Sequence, residues 1–157
     1  MEETVEVGKA IDVPEVKPFD WTPLAPDYFL RAMVDLVNKT NISFDVTLTV
    51  DGFLVSGHLV SGKAYFEGVS SEMADAFKKS AAEEASESIR SYFLSFGNVY
   101  DNIQEDPNRP LPVFIHLKGA KFFHNSGAAI PKNRGIWWRG RISCVSGFCM
   151  GSLGAGG

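Results

Sequence analysis

Residues 42–60 constrain the fold of this chain more than any other stretch. From Ile42 to Val50 every second residue is large and apolar, with serine, aspartate or threonine in between. Such alternation is typical of a strand that has one face in a core and the other near water. Asp51-Gly52 follows directly, and this pair tolerates the positive φ angles of a tight hairpin turn. Residues 53–60 are therefore predicted to return as a second strand, which could bend or bulge at Gly57.

Helices are predicted before and after this hairpin. Asp27 can cap a first helix and Ser61 a second, while Ser80 and Glu83 form a capping box for a third helix that ends at Gly97. The apolar stripe of the first helix is Phe29, Ala32, Met33, Leu36 and Val37. The inward face of the second is expected to carry Phe66, Val69, Met73, Ala76 and Phe77, and that of the third Ala82, Ala85, Ile89, Phe93 and Phe96.

Further strands are predicted towards the C-terminus. They span residues 113–117 with a continuation to 123, then residues 136–145 and 148–153, with Ser146-Gly147 as a turn between the last two. That turn would place Cys144 and Cys149 opposite each other across a hairpin. Reduced, buried thiols are nevertheless the favoured state in a cytosolic protein.

This order of elements predicts an α+β fold. It combines an antiparallel sheet, or a small Sm/SH3-like barrel, with an N-terminal helix and a two-helix insertion. Asp51-Gly52, Gly57 and Arg139-Gly140 resemble landmarks of Sm-like barrels. A single domain is expected over residues 27–153, because 157 residues at 45% hydrophobic composition can bury one core. Residues 1–26 are expected to form a disordered or extended acidic, proline-rich arm, and residues 154–157 a flexible glycine-rich end.

Charge is segregated along the chain. Residues 1–106 contain all 19 acidic residues and 8 basic ones, a net −11, whereas residues 107–157 contain 7 basic residues and no acidic one. Such segregation favours a charged partner or attraction between copies of the chain. The alternative is that folding interleaves the two regions and the charged patches disappear.

Motifs for catalysis or cofactor binding are weak. Gly57 to Lys63 has the spacing of a phosphate-binding loop, but position 64 is alanine, where Mg²⁺ needs a hydroxyl. His58, His116 and His124 fall on or next to separate predicted strands, so a metal site is not indicated. No Gly-x-Ser-x-Gly motif is present. The sequence therefore predicts no enzyme, no cofactor and no metal.

Trp137, Arg139 and Arg141 form the most informative polar cluster. On a strand they share one face, whereas Trp138 points to the other and is expected in the core. Tryptophan and arginine together are enriched in protein interfaces and can also stack on bases. A buried tryptophan with arginines in solvent is the third possibility. With the nearby basic residues of residues 114–123, the candidate interaction surface is Trp137, Arg139, Arg141, Lys118 and Lys121.

Three blocks of the sequence, in this order, resemble the U-type gas vesicle accessory proteins (GvpU). The first is a hairpin ending in Val-Ser-Gly that leads into Lys-x-Tyr-Phe, at residues 55–66. The second is Ile-His-Leu-Lys at residues 115–118, and the third is Trp-Arg-Gly-x-Ile leading to Gly-Phe-x-x-Gly, at residues 138–151. The resemblance covers roughly residues 26 to 153.

The resemblance implies a non-enzymatic accessory protein in the cytoplasm, acting at gas vesicles in their formation or clustering. Its expected partners are other copies of itself, as a homo-oligomer or condensate, and the vesicle shell or other gas vesicle proteins. No membrane partner is expected, since the N-terminus has no signal sequence and no apolar run approaches the ~20 residues of a membrane span. The alternative function is an Sm-like RNA-binding module, although nucleic acid is an unfavoured partner for so acidic a chain.

Overall fold

The computed structural model describes residues 25–80, 83–103, 106–124 and 127–154. Most of the predicted N-terminal arm and the last three residues of the predicted glycine-rich end lie outside these ranges. The elements are α1 (Tyr28–Thr40), β1 (Phe44–Val50), β2 (Phe53–Val60), α2 (Gly62–Lys78), α3 (Ser86–Ser95), β3 (Phe114–Phe123), β4 (Ala129–Ile130), β5 (Ile136–Arg141) and β6 (Val145–Met150). Short 3₁₀ turns occupy Glu83–Ala85, Phe96–Tyr100 and Ile142–Cys144.

The strands form one antiparallel sheet, which confirms the α+β class, the N-terminal helix and the two-helix insertion. The strand order is β4-β3-β2-β1-β6, and β5 pairs with β3 beside β4. β5 and β6 are consecutive in the chain but lie at opposite edges of the sheet, joined by the 3₁₀ turn Ile142–Cys144. The sheet must therefore curl so that its two edges approach at this corner. Within the described residues no ladder joins β5 to β6, so the sheet stays open and is not a closed barrel.

The hairpin turn predicted at Asp51-Gly52 is confirmed. Val50 lies opposite Phe53, and Asp51 and Gly52 have φ angles of 50° and 83°. Two successive positive φ angles are the signature of a type I′ turn, whose twist matches that of the flanking strands. Gly57 lies opposite an irregularity between β2 and β3, but the additional residue is on β3, so β2 itself does not bulge there.

Gly52→Val is expected to lower the free energy of unfolding by about 1 kcal/mol or more, because a β-branched residue is strained at positive φ. Urea denaturation of this variant measures the change. Asp51→Asn is the matched control, since asparagine tolerates positive φ. Equal stability of wild type and Gly52→Val would contradict the assigned turn.

The main core lies between α1 and one face of the sheet. Asp27 caps α1, as predicted, by accepting a hydrogen bond from the backbone N–H of Leu30 at 2.9 Å. The buried face of α1 consists of Leu30, Met33, Val34 and Val37, so the predicted stripe is partly wrong and Phe29 is 53% exposed. The core cluster is completed by Val46, Leu48, Val55, Leu59, Ile115, Leu117, Ala120 and Ile142.

The insertion differs from its predicted packing. Ser61 caps α2 through the backbone N–H of Ala64, as expected, and α2 runs without a break. Its buried residues are Gly62, Ser70 and Ala74, whereas Met73 and Ala76 are exposed. The face predicted for α2 is therefore partly wrong: Phe66, Val69 and Phe77 are half-buried, but the other two predicted residues are exposed.

The predicted start and end of α3 are also wrong. α3 begins at Ser86 without a side-chain cap, so the capping box from Ser80 and Glu83 does not start it. The helix ends at Ser95, where the 3₁₀ turn Phe96–Tyr100 takes over and carries the chain past the expected stop at Gly97.

The predicted turn at Ser146-Gly147 is absent. Both residues lie inside β6, which pairs with β1 and not with β5, so Cys144 and Cys149 do not face each other across a hairpin. Both cysteines are free and exposed, not buried. The chain turns at Gly151, whose φ is 99°, and then crosses the sheet until the backbone N–H of Leu153 donates to Ser56 Oγ at 2.7 Å. The last predicted strand therefore ends at Met150.

Candidate interaction surface

The candidate residues lie on the face of the sheet opposite α1, called here the outer face. On β5, Trp138 is opposite Leu117 and packs on the core, as predicted. Trp137, Arg139 and Arg141 alternate with it and therefore point to the outer face. Arg139 is opposite His116, which fixes the outer face of β3 as well.

A bulge places Lys118 and Lys121 on this same outer face. Their partners on β2 are His58 and Ser56, which are two residues apart and share one side of the strand. Lys118 and Lys121 are three positions apart on β3, whereas their partners on β2 are two positions apart. β3 therefore contains one additional residue here, and the backbone accommodates it at Gly119, where φ is 64°. Without the bulge the two lysines would point to opposite faces. The structure therefore brings all five candidate residues to one face of the sheet.

Arg139 is held in place by aromatic rings and a histidine. Its guanidinium carbon lies 3.6 Å from the centroid of the Phe114 ring and 5.9 Å from that of Phe66. Its Nε–H donates to Nε2 of His116 at 3.2 Å. Stacking on aromatic faces together with a directed hydrogen bond is a role that lysine would fill poorly. Arg139 is partly exposed, but its guanidinium packs between the sheet and the insertion and does not extend freely into solvent.

His116 is fully buried beneath α2. Burial, and the nearby Arg139 guanidinium, lower the pKa of His116 to about 3. The imidazole is therefore neutral, with Nε2 as the acceptor and the proton on Nδ1, which is buried and has no hydrogen-bond partner among the described residues. The rings of Tyr65, Phe66 and Tyr100 surround it at centroid distances of 4.8–6.2 Å. The histidine thus acts as a packing centre that docks α2 on the sheet.

Trp137 is covered by the insertion. Its indole lies so close to Gly68 of α2 that a Cβ at that position would overlap the ring. The ring also makes an edge contact with Tyr65, at 6.1 Å, and Lys118 Nζ sits 5.7 Å above it. The third possibility raised by the sequence, a covered tryptophan, therefore holds for Trp137, while Arg141 and Lys118 remain exposed.

The basic side chains of the outer face are not neutralised by neighbouring acids. Within the described ranges no ion pair involves Lys118, Lys121, Arg139 or Arg141. The acidic side chains that do form ion pairs there bind other basic residues. Asp35, for example, pairs with both Lys39 and Arg109. The positive charge of the C-terminal third therefore survives folding on this part of the surface.

A second exposed feature, which sequence reasoning missed, is an aromatic ridge on the insertion. It is defined by Tyr92, Phe96 and Val99, which are 60%, 47% and 75% exposed. Tyr92 meets Phe96 edge-on at 5.3 Å, and Phe96 stacks on Phe66 at 6.1 Å, so the ridge continues into the rings around His116. The available signal was the apolar content of residues 92–99; of the ridge residues, the sequence pattern places only Phe96 on the inward face. Exposed apolar clusters of this kind mark sites of association.

Residues 57–63, which have the spacing of a phosphate-binding loop, make structural contacts instead. Gly57 lies inside β2, where a Cβ would approach the carbonyl oxygen of Lys118 at 3.0 Å. Lys63 Nζ is bound to Asp101 Oδ1 at 2.6 Å, an interaction that raises the pKa of Lys63. Strand pairing therefore explains the glycine at position 57, and the ion pair with Asp101 explains the lysine at position 63.

Within the ranges that the structure describes, no group of three or more metal-ligating side chains converges. Nor is any helix in those ranges long and apolar enough to cross a membrane.

Comparison with known proteins identifies the family. No curated protein and no solved structure matches the chain. A family model described as gas vesicle protein GvpU-like matches residues 27–153, which runs from the cap of α1 to the segment that follows β6. This span includes the hairpin, the insertion and all five residues of the candidate surface. The chain therefore belongs to the gas vesicle protein GvpU-like family.

Proposed function

We propose that this protein is a non-enzymatic accessory protein of gas vesicles, which acts in the cytoplasm in vesicle formation or clustering. It does so by associating with itself and by contacting the vesicle shell or another gas vesicle protein. Membership of the GvpU-like family carries this proposal. The aromatic ridge and the basic outer face support it, because both offer contact area without a catalytic arrangement of side chains.

The basic outer face would supply the electrostatic part of these contacts. Residues 107–157 have a net charge of +7 against −11 for residues 1–106, so the face can meet the acidic part of another copy or an acidic vesicle partner. Each exposed charge pair contributes only about 0–1 kcal/mol, so several must act together. Association of this kind weakens as salt shortens the Debye length to ~3 Å at 1 M.

Reversing Lys118, Lys121 and Arg141 to glutamate is expected to weaken self-association and vesicle binding and to abolish their salt dependence. Arg139 is left intact because its reversal would place a carboxylate against Phe114 and His116 and disturb the fold. The matched control reverses the exposed residues Lys78, Lys79 and Lys132, which changes the net charge equally without altering any of the five candidate residues. Sedimentation velocity across a salt series measures self-association, and flotation with purified vesicles measures vesicle binding.

Equal sedimentation and flotation of both triple variants and wild type would exclude the outer face as the contact. Association by the aromatic ridge would then be tested with Tyr92→Ser and Val99→Ser. Retention of RNA that is lost at high salt, without flotation on vesicles, would instead favour a nucleic-acid-binding protein.

A further inference from the structure

The sheet ends in two edge strands that are protected to different degrees. Natural edge strands are kept from pairing with other chains by charged side chains, prolines and bulges. β5 carries Arg139 and Arg141, and Pro131 follows β4 on the same side of the sheet. β6, from Val145 to Met150, contains neither a charged residue nor a proline. β6 is therefore the unprotected edge.

The hydrogen-bond pattern shows which backbone groups of β6 are turned outward. The N–H of Gly151 donates to the carbonyl of Asp45 at 2.7 Å, and Val46 lies opposite Met150. In an antiparallel ladder this makes Val46 and Met150 a non-hydrogen-bonded pair, so the N–H and C=O of Met150 point away from β1. The same holds two residues earlier, for Phe148. Within the described ranges no other strand pairs with β6.

Exposed apolar side chains accompany these backbone groups. Phe148 points to the α1 side of the sheet and lies 5.7 Å from the ring of Phe29. Phe29 and Met150 are each 53% exposed, although both lie next to the core. A further strand added to β6 would bind the outward N–H and C=O groups and would cover this apolar margin at the same time.

We infer that β6 pairs with β6 of a second copy of this chain, antiparallel and about a two-fold axis at Phe148. The inference rests on the self-association in the proposed function and names its interface. A second copy fits because an uncharged strand meets itself without repulsion, whereas two β5 strands would bring Arg139 and Arg141 of both copies together. The sheets of the two copies then form one continuous sheet.

This register has a geometric consequence. With Phe148 opposite Phe148 of the second copy, Met150 hydrogen-bonds to Ser146 of the second copy. Gly147 then lies opposite Cys149 of the second copy in a non-hydrogen-bonded pair, where Cα atoms are about 4.5 Å apart. That separation lies within the range of disulfides. A Cβ at Gly147 meets only Thr49 Oγ1 at 3.9 Å, so a cysteine fits there.

The first test compares Met150→Pro with Met150→Ala by sedimentation equilibrium. Proline removes the outward N–H without removing a hydrogen bond to β1, whereas alanine shortens the side chain and keeps the N–H. Because two-fold symmetry removes the bond twice, Met150→Pro is expected to raise the dimer dissociation constant about tenfold or more relative to Met150→Ala. Circular dichroism of the monomers at low concentration checks that both variants keep the fold.

The second test traps the interface. Gly147→Cys combined with Cys144→Ser is expected to give a disulfide-linked dimer on mild oxidation of the full chain. Cys144→Ser alone, in which Cys149 faces Gly147 of the second copy, is expected to remain uncrosslinked. Crosslinking at the same protein concentration as the measured dimerisation supports the proposed register.

Three outcomes would overturn the inference, and they bear differently on the proposed function. If wild type stays monomeric at all concentrations, both the β6 interface and self-association are wrong. If wild type associates but both Met150 variants associate equally and no crosslink forms, only the β6 interface is wrong. If dimers form only after residues 1–24 are removed, that segment and not a second copy covers β6.

Discussion

Gly68→Val is expected to detach the insertion from the sheet and to lower the free energy of unfolding by about 1–3 kcal/mol. A Cβ at residue 68 would overlap the indole of Trp137, which is itself confined by Tyr65 and Lys118. Helix propensity alone would predict a small gain from replacing glycine in a helix interior, so the sign of the change separates the two effects. Urea denaturation measures stability, and tryptophan fluorescence reports on the ring.

Two controls isolate the contact between Gly68 and Trp137. Ser71→Val places the same side chain at an exposed position of α2 and is expected to change stability by only a few tenths of a kcal/mol. Trp137→Leu in the Gly68→Val background should cost less than Trp137→Leu alone, since the smaller side chain relieves the overlap. Additive effects in this double-mutant cycle would show that the two residues are not in contact.

Acid is expected to destabilise the protein through His116, beginning below pH 6.5. The pKa of this histidine is about 3 in the folded protein, whereas an unfolded chain has the ordinary value of 6.5. Between pH 6.5 and about pH 3 the histidine is protonated in the unfolded state but not in the folded state. The free energy of unfolding therefore falls as pH falls. The loss is about 1.4 kcal/mol for each pH unit below 6.5, or roughly 3 kcal/mol at pH 4.5.

The measurement compares urea denaturation of wild type and His116→Gln from pH 7 to pH 4.5. Glutamine keeps an acceptor for Arg139 but does not titrate, so the variant should lack this part of the pH dependence. His124→Gln, at an exposed position, should retain it. The other titratable groups are the same in wild type and His116→Gln, so their contribution cancels in the difference between these two proteins. An NMR titration showing His116 protonated at pH 5 in the native protein would contradict the expected behaviour.

The candidate interaction surface could be predicted only in part from the sequence. The period of two correctly separated Trp138 from Trp137 and placed Arg139 and Arg141 on one face. It could not show that α2 covers Trp137 or that Arg139 is bound to His116, because these contacts join residues distant in the chain. The shared face of Lys118 and Lys121 depends on the bulge at Gly119, which a strict period of two would have excluded.

The sequence by itself determined the features that depend on neighbouring residues. The turn at Asp51-Gly52, the caps at Asp27 and Ser61 and the start of β3 follow from local backbone preferences, and the α+β class follows from their order. Only the tertiary structure decided which residues of α2 are buried, because an apolar stripe does not say what will pack against it. It also decided that β6 pairs with β1 at the far edge of the sheet. A strand's side-chain pattern specifies its faces but not its neighbour, and that choice rests on the curvature of the whole sheet.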